Sequence, residues 1–289
     1  MHKVGCVAVS AADLHAYLRR LGWAARPSPT KDTLIELHRA HAERIPYETV
    51  WIALGDKRSV DPGESVRHLL AGRGGYCYHL NGAFGALLAW LGYEVHRHRA
   101  GVQGGPGDPR EISGNHLGIS VTLPDEGTWM VDLGLGDGLH EPVPLRTGRY
   151  PQGPMTFGIR PSTIAPGGWR FDHDPFGSFE GADFAPEGTV LADFAENHRW
   201  QSTSPESGHV RVVLAARRDE KAVSELRGRV LTVIDMSGRG DTELEGSSDY
   251  FAVLADVFGL PLSDVDARRK AGLWARVCTD HEAYLATKR

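Results

Sequence analysis

Cysteine is scarce. The 289-residue chain has three, Cys6, Cys77 and Cys278, far apart in sequence. An odd, dispersed set forms no disulfide framework and fits a reducing compartment. Long apolar runs are missing too. None approaches the ~18 residues that cross a bilayer, so no membrane partner is expected. The stretch Val4 to Ala12 is short and broken by Gly5, Cys6 and Ser10, and Asp13 and Leu14 open a helical pattern at once; it reads as a mature cytoplasmic start. Positive charge is not in excess. The net charge of −5 argues against a nucleic-acid partner held by phosphate neutralisation. Metal signatures are absent as well. His38 and His41 share a helix and His96 and His98 a strand face, but no His-Glu-x-x-His, paired Cys-x-x-Cys or carboxylate cluster completes a site, and no metal is expected.

What is present is ordinary globular composition, 41% hydrophobic and 24% charged, with length for about two domains. The first ninety residues read helical. Leu14, Tyr17, Leu18 and Leu21 share a face that Gly22 ends, and a second helix follows Thr30 until Pro46. A third starts at Asp61-Pro62-Gly63-Glu64, a cap, a first-position proline and a capping-box-like carboxylate. A fourth runs from Cys77 to the stop at Gly92. From Tyr93 the period becomes two, with strands predicted around 95–99, 117–123 and 129–133. Residues 101–114 are a Gly/Pro/Asp-rich loop, and 146–190 fit strands joined by turns. Val210 to Ala215 and Val230 to Ile234 read as strands, Asp249 to Phe258 and Val265 to Leu285 as helices.

The sharpest local feature is Gly72-Arg73-Gly74-Gly75-Tyr76-Cys77. A glycine-rich turn delivers a cysteine to the first turn of an apolar helix, whose dipole favours a thiolate. It is not a phosphate loop, because the Lys-Ser/Thr ending is missing. Locally, a buried inert cysteine and a nucleophile are equally compatible with this pattern. A nucleophile needs a base, and the base an orienting group. His116 opens one alternating strand and Asp132 lies in the next. They stand opposite if the turn centres near Pro124, and several residues apart if it centres at Glu126-Gly127. The spacing permits the pair without establishing it.

The stretch Arg73-Gly74-Gly75-Tyr76-Cys77-Tyr78-His79-Leu80-Asn81 resembles the Arg-Gly-Gly-x-Cys-x-Glu-x-Asn signature of the arylamine N-acetyltransferases. Asp13 to Leu21, Leu37-His38 through Ile45-Pro46-Tyr47-Glu48, Asn115-His116-Leu117, and Val131 to Gly136 resemble further motifs of that family. So do Phe194, Asn197, Ser202 to Ser207, and Phe258-Gly259-Leu260, all in order along the chain. The resemblance implies an α+β multidomain fold: a helical domain over 1–92 with the cysteine, a β-barrel over 93–200 with His and Asp, and an α/β domain over 201–289. It implies a Cys77-His116-Asp132 triad. It also implies an acetyl group passed from acetyl-CoA, or another acyl thioester, to an aromatic amine or hydrazine through an acyl-Cys77 thioester with ping-pong kinetics. No permanently bound cofactor is implied. Donor-binding residues stay unassigned, with Thr203, Ser204 and Ser207 as candidates.

Four positions depart from the family pattern: His79 for Glu, Leu135 for Phe, His209 for an aromatic and Thr49 for Asn. They leave the triad intact and bear on the acyl and amine pocket. A natural-product amide synthase branch, taking its acyl chain from CoA or an acyl carrier protein, is the alternative. A cysteine protease or transglutaminase shares the Cys, His, Asp order and would release a peptide or ammonia instead of consuming a thioester. Arg73 and Glu48 are expected to form an ion pair supporting the cysteine turn. His79, ~200° around the helix from Cys77, is expected to point away from the sulfur.

Overall fold

The structure, a computed structural model, describes residues 9–287. Cys6, the expectations for the first eight residues, and Lys288-Arg289 lie outside the described residues. Helices α1 (Ala11–Arg20), α2 (Lys31–Arg44), α3 (Val50–Ala53), α4 (Pro62–Leu70) and α5 (Cys77–Leu91) form the first layer. Their boundaries follow local chemistry. Thr30 caps α2 by accepting from the Thr33 N–H, and Asp61 caps α4 by accepting from that of Glu64. Gly92, at φ 108°, stops α5 in the left-handed region. The capping box at α4 does not close: the Glu64 carboxylate turns to the Ser59 N–H and hydroxyl instead of the Asp61 N–H. Helix α5 is apolar nearly all round and is buried accordingly.

Eight antiparallel strands follow: β2 (Glu94–Gln103), β3 (His116–Leu123), β4 (Gly127–Met130), β5 (Val143–Pro144), β6 (Gly148–Gln152), β7 (Met155–Pro161), β8 (Trp169–Asp172) and β9 (Gly181–Gly188). They hydrogen-bond in the order β5-β4-β3-β2-β9-β8-β7-β6 and curl into a nearly closed barrel. The alternation read in β3 separates two cores. Leu117, Ile119 and Val121 pack with Phe84, Leu87 and Leu88 of α5, while Met130, Phe157, Phe171 and Phe184 fill the barrel. The small and polar face of β3 therefore lies inside the barrel. The strand expected over 129–133 ends at Met130, so Asp132 stands just beyond it.

The remaining elements are α6 (Ala195–Thr203), α7 (Gly208–Arg211), β10 (Leu214–Arg218), β11 (Ala222–Arg227), β12 (Val230–Asp235), β13 (Gly238–Glu243), α8 (Ser247–Asp256) and α9 (Ala267–Thr287). The strand expected over 210–215 is displaced: Ser207 accepts from the His209 N–H and starts α7, and the strand begins at Leu214. The sheet β10-β11-β12-β13 gains a first strand from far upstream, β1 (Tyr47–Glu48). Tyr47 pairs with Ala216 and Glu48 with Ala215, while the Glu48 N–H donates to the Gly75 carbonyl at 2.8 Å. Two residues thus join the cysteine turn to the C-terminal sheet. Among the described residues no helix is long and apolar enough to cross a membrane, and no cluster of three His, Cys, Asp or Glu could hold a metal.

Candidate active site

Cys77 is the first residue of α5, and its approach depends on close backbone packing. A Cβ at Gly74 would stand 2.0 Å from the Pro46 carbonyl oxygen. From the other side, a Cβ at Gly134 would stand 2.6 Å from the Cys77 Cα, so only glycine lets the segment after β4 lie against the cysteine. The thiol is buried and faces the Asn115 carbonyl at 3.8 Å.

The register of β3 and β4 falls between the two alternatives left open by spacing. Leu123 pairs with Gly127 and Ser120 with Met130, so the turn centres on Asp125, at φ 61°. One further rung, the Val131 N–H to the Ile119 carbonyl, carries that register past the strand end and sets Asp132 across from Gly118. His116 is its diagonal neighbour, within reach of a carboxylate. The gap at Gly118 is taken by the Phe184 ring, which a Cβ there would meet at 2.4 Å. His116 Nε2 and Asp132 Oδ2 are 2.8 Å apart, and both side chains are buried.

Asp132 is held from its other oxygen as well. Oδ1 accepts from Asn81 Nδ2 and from the Gly134 N–H, each at 2.9 Å. Asn81 also donates to the Leu117 carbonyl at 2.7 Å and accepts from the Leu133 N–H at 2.9 Å. It sits four residues after Cys77, one turn along the same helix. That spacing is the signal by which its role could have been read. Burial pushes the His116 imidazole down, but the Asp132 charge and hydrogen bond, then the hydrogen bond and charge of Cys77, outweigh it and hold the imidazole up at about 10. The structure therefore brings Cys77, His116 and Asp132 together as one connected group.

The support beneath the turn differs from expectation. Glu48 does not pair with Arg73. Its carboxylate meets Arg58 at 3.4 Å, and Arg58 also donates to the Gly74 carbonyl at 2.9 Å. Arg73, though buried, reaches outward to Asp56 at 3.8 Å and Asp264 at 3.4 Å. Arg58 won because β1 turns the Glu48 side chain under the glycine turn, where Arg58 enters from the loop before α4. His79 points away from the sulfur, as its helical position requires. It packs against Trp51, Tyr76 and His198, and burial, then Arg58, keep it neutral.

Cys77 and His116 open onto a cleft of about 440 Å³. Leu135 and His209, two of the departing positions, line it. Thr49, a third, instead closes β1 onto β10 by accepting from the Leu214 N–H at 2.9 Å. Ser207 also lines the cleft, but its hydroxyl donates to the Gln201 carbonyl and accepts from the His209 N–H, which makes it part of the fold. Thr203 and Ser204 lie in an adjoining groove of about 570 Å³ that shares Trp200 and Gln201 with the cleft.

A buried thiol, an imidazole and a carboxylate thus stand together beside a cleft. The N-acetyltransferase family model matches residues 30–267. The chain belongs to the arylamine N-acetyltransferase family. It is similar to the arylamine N-acetyltransferase of Mycobacterium tuberculosis strain H37Rv, 30% identical over 276 residues, covering 89% of this chain and 93% of the relative. The structure of the Mycobacterium marinum arylamine N-acetyltransferase in complex with CoA matches with a TM-score of 0.81 at 28% identity, covering 91% and 98% of the two chains. Proansamycin X synthase of Amycolatopsis mediterranei is 36% identical over 129 residues, 42% of this chain and 48% of that protein.

Proposed function

We propose that this chain transfers an acetyl group from acetyl-CoA to an aromatic amine or hydrazine by a ping-pong mechanism through an acyl-Cys77 thioester. The observation that carries the reading is the connected Cys77, His116 and Asp132 group at the edge of the cleft. The CoA held by the M. marinum relative supports a CoA thioester as donor. The Cys77 thiolate attacks the thioester carbonyl, the carbon–sulfur bond to CoA breaks, and His116 returns a proton to the departing CoA thiolate. The neutral amine then attacks the acyl carbon. His116 takes the amine's proton as the Cys77 sulfur leaves, restoring the thiolate–imidazolium pair. Asp132, fixed by Asn81 and Gly134, holds the ring orientation and the positive charge through both halves. The three-part division at 92 and 200, with β1 lent to the third part, and action in the cytoplasm belong to the same proposal.

Incubation with acetyl-CoA should add one acetyl group to intact protein, mapped by digestion to Cys77 and absent in Cys77→Ala. Addition of an arylamine should then discharge it. Acetylation on Cys278, or none, would overturn the assignment. A second reading, an amide synthase that uses a longer or carrier-bound acyl chain, is favoured by the similarity to proansamycin X synthase. Faster single-turnover acylation by a long-chain or carrier-bound thioester than by acetyl-CoA would select it.

A further inference from the structure

The inner face of β3 carries His116, Gly118 and Ser120 in turn, and the middle one has no side chain. From the β4 side, Asp132 stands across from Gly118 and reaches back to His116. From the other side, β2 sets His98 across from the same glycine. The His98 ring leans the opposite way along the strand, to its diagonal neighbour Ser120, and Nε2 lies 2.8 Å from the Ser120 hydroxyl. Both side chains are buried. An aromatic partition separates the two pairs. Phe184 meets the His116 ring at 5.9 Å, Trp169 meets the His98 ring at 4.6 Å, and the two partition rings stack 5.0 Å apart.

A bulge orients His98. His98 pairs with Gly188 of β9 and Ala100 with Phe184, so Ala185, Pro186 and Glu187 face the single residue Arg99. The carbonyl of Ala185, which has no partner residue on β2, lies 3.0 Å from His98 Nδ1. A carbonyl only accepts, so Nδ1 donates to it and carries the ring proton. Burial lowers His98 to about 4, which keeps the ring neutral at pH 7. Nε2 then offers only its lone pair, and the Ser120 hydroxyl is the donor. Hydroxyl, imidazole and carbonyl stand as a nucleophile, its base and the group that orients the base.

The pair lines a cavity of about 500 Å³ that shares no lining residue with the cleft of Cys77. Trp169 and Ile159 supply apolar wall, and Thr122, Thr128 and Arg160 supply donors. Arg160 is already met by Asp172 at 2.6 and 2.9 Å, so the lining suits an uncharged ligand. We propose that Ser120 and His98 form a second acyl-transfer site in the barrel, a serine esterase for small uncharged esters that works without Cys77. The Ser120 oxygen bonds to the ester carbonyl carbon as its proton passes to His98 Nε2. The carbon–oxygen bond to the alcohol breaks, and His98 gives that proton to the departing alkoxide. Water then attacks the acyl carbon, and His98 takes the water's proton and returns it to the Ser120 oxygen as the acid leaves. Thr122, Thr128 and Arg160 are the donors in the cavity for the carbonyl oxygen as it turns negative.

The test treats wild type with diisopropyl fluorophosphate, which phosphorylates an activated serine with loss of fluoride and spares thiols. Intact mass should show one adduct, mapped by digestion to Ser120. Ser120→Ala should carry none and should still be acetylated at Cys77 by acetyl-CoA, which shows that it folds. His98→Gln should label at least about 100-fold more slowly, the usual share of a general base. Cys77→Ala should hydrolyse 4-nitrophenyl butyrate, and prior labelling should abolish that turnover. No adduct, an adduct only on another residue, labelling indifferent to His98→Gln, or a Cys77→Ala chain inert toward the ester would each overturn the serine site and leave acetyl transfer through Cys77 standing. The wild-type mapping needs no variant to fold.

Discussion

Arg58 and Glu48 form an ion pair 3.4 Å apart with both side chains essentially removed from solvent, directly beneath the turn that delivers Cys77. Removing one partner of a buried pair leaves the other charge uncompensated and costs about 3–5 kcal/mol. Glu48→Gln and Arg58→Met should each lower stability by that order in denaturant melts. Arg73→Met should cost less, because its partners Asp56 and Asp264 are 37% and 60% exposed. An Arg73 variant as unstable as the Arg58 one would restore the pairing that the motif alone suggested.

Gly134 is a second point of support. Gly134→Ala places a methyl group 2.6 Å from the Cys77 Cα, against backbone that cannot swing aside. Overpacking of this kind costs about 1–3 kcal/mol, and here it also displaces the nucleophile. Single-turnover acylation should fall at least tenfold, roughly the effect of a small misplacement at a reacting centre. Gly188→Ala, with nothing within 4 Å of its added Cβ, is the control and should acylate as wild type.

The elevated imidazole of His116 predicts how the site responds to pH. Its folded value of about 10 lies above the ordinary 6.5. The stabilisation from its charged form is therefore fully present below pH 6.5 and is lost as pH rises through about 10. Wild type should lose stability across that window relative to His116→Gln. Asp132→Asn removes the first charge that holds the imidazolium, so burial should then drive the His116 titration downward. NMR of the ring nitrogens would follow it. In another triad this exchange cost about 10⁴ in rate, and a large fraction of that is expected in acylation here. Iodoacetamide alkylation of Cys77 that ignores both pH and Asp132 would show that the three residues do not act together.

His38 and His98 titrate in the opposite sense. Burial lowers each to about 4. The unfolded chain binds these protons first, so their contribution is full above pH 6.5 and is lost as pH falls toward 4, by about 1.4 kcal/mol per unit for each group. Unfolding near pH 5 should take up about one proton at each of these two histidines, and further ones at His41, His79 and His209, which burial also holds neutral. Calorimetry in buffers of different ionisation enthalpy would count them.

Much of the architecture was legible locally. Thr30, Asp61 and Gly92 mark helix ends because caps act within three or four residues, and the alternation from Leu117 to Leu123 marks β3 because its two faces meet different cores. The ordered motifs pointed to Cys77, His116 and Asp132 in the same way. Other features depended on partners far along the chain. Tyr47–Glu48 is a strand only because β10, nearly 170 residues later, offers its edge. Arg58 rather than Arg73 meets Glu48 because the turn at β1 decides which guanidinium is enclosed. The meeting of His116 with Asp132 rests on a turn centred at Asp125, between the two alternatives, and a slip of one residue in the pairing register would have sent one side chain to the other face. Short-range chemistry and motif order belong to the sequence alone. Register, charge pairing and the meeting of Ser120 with His98 belong to the tertiary structure, because each is a choice among partners that only packing brings within reach.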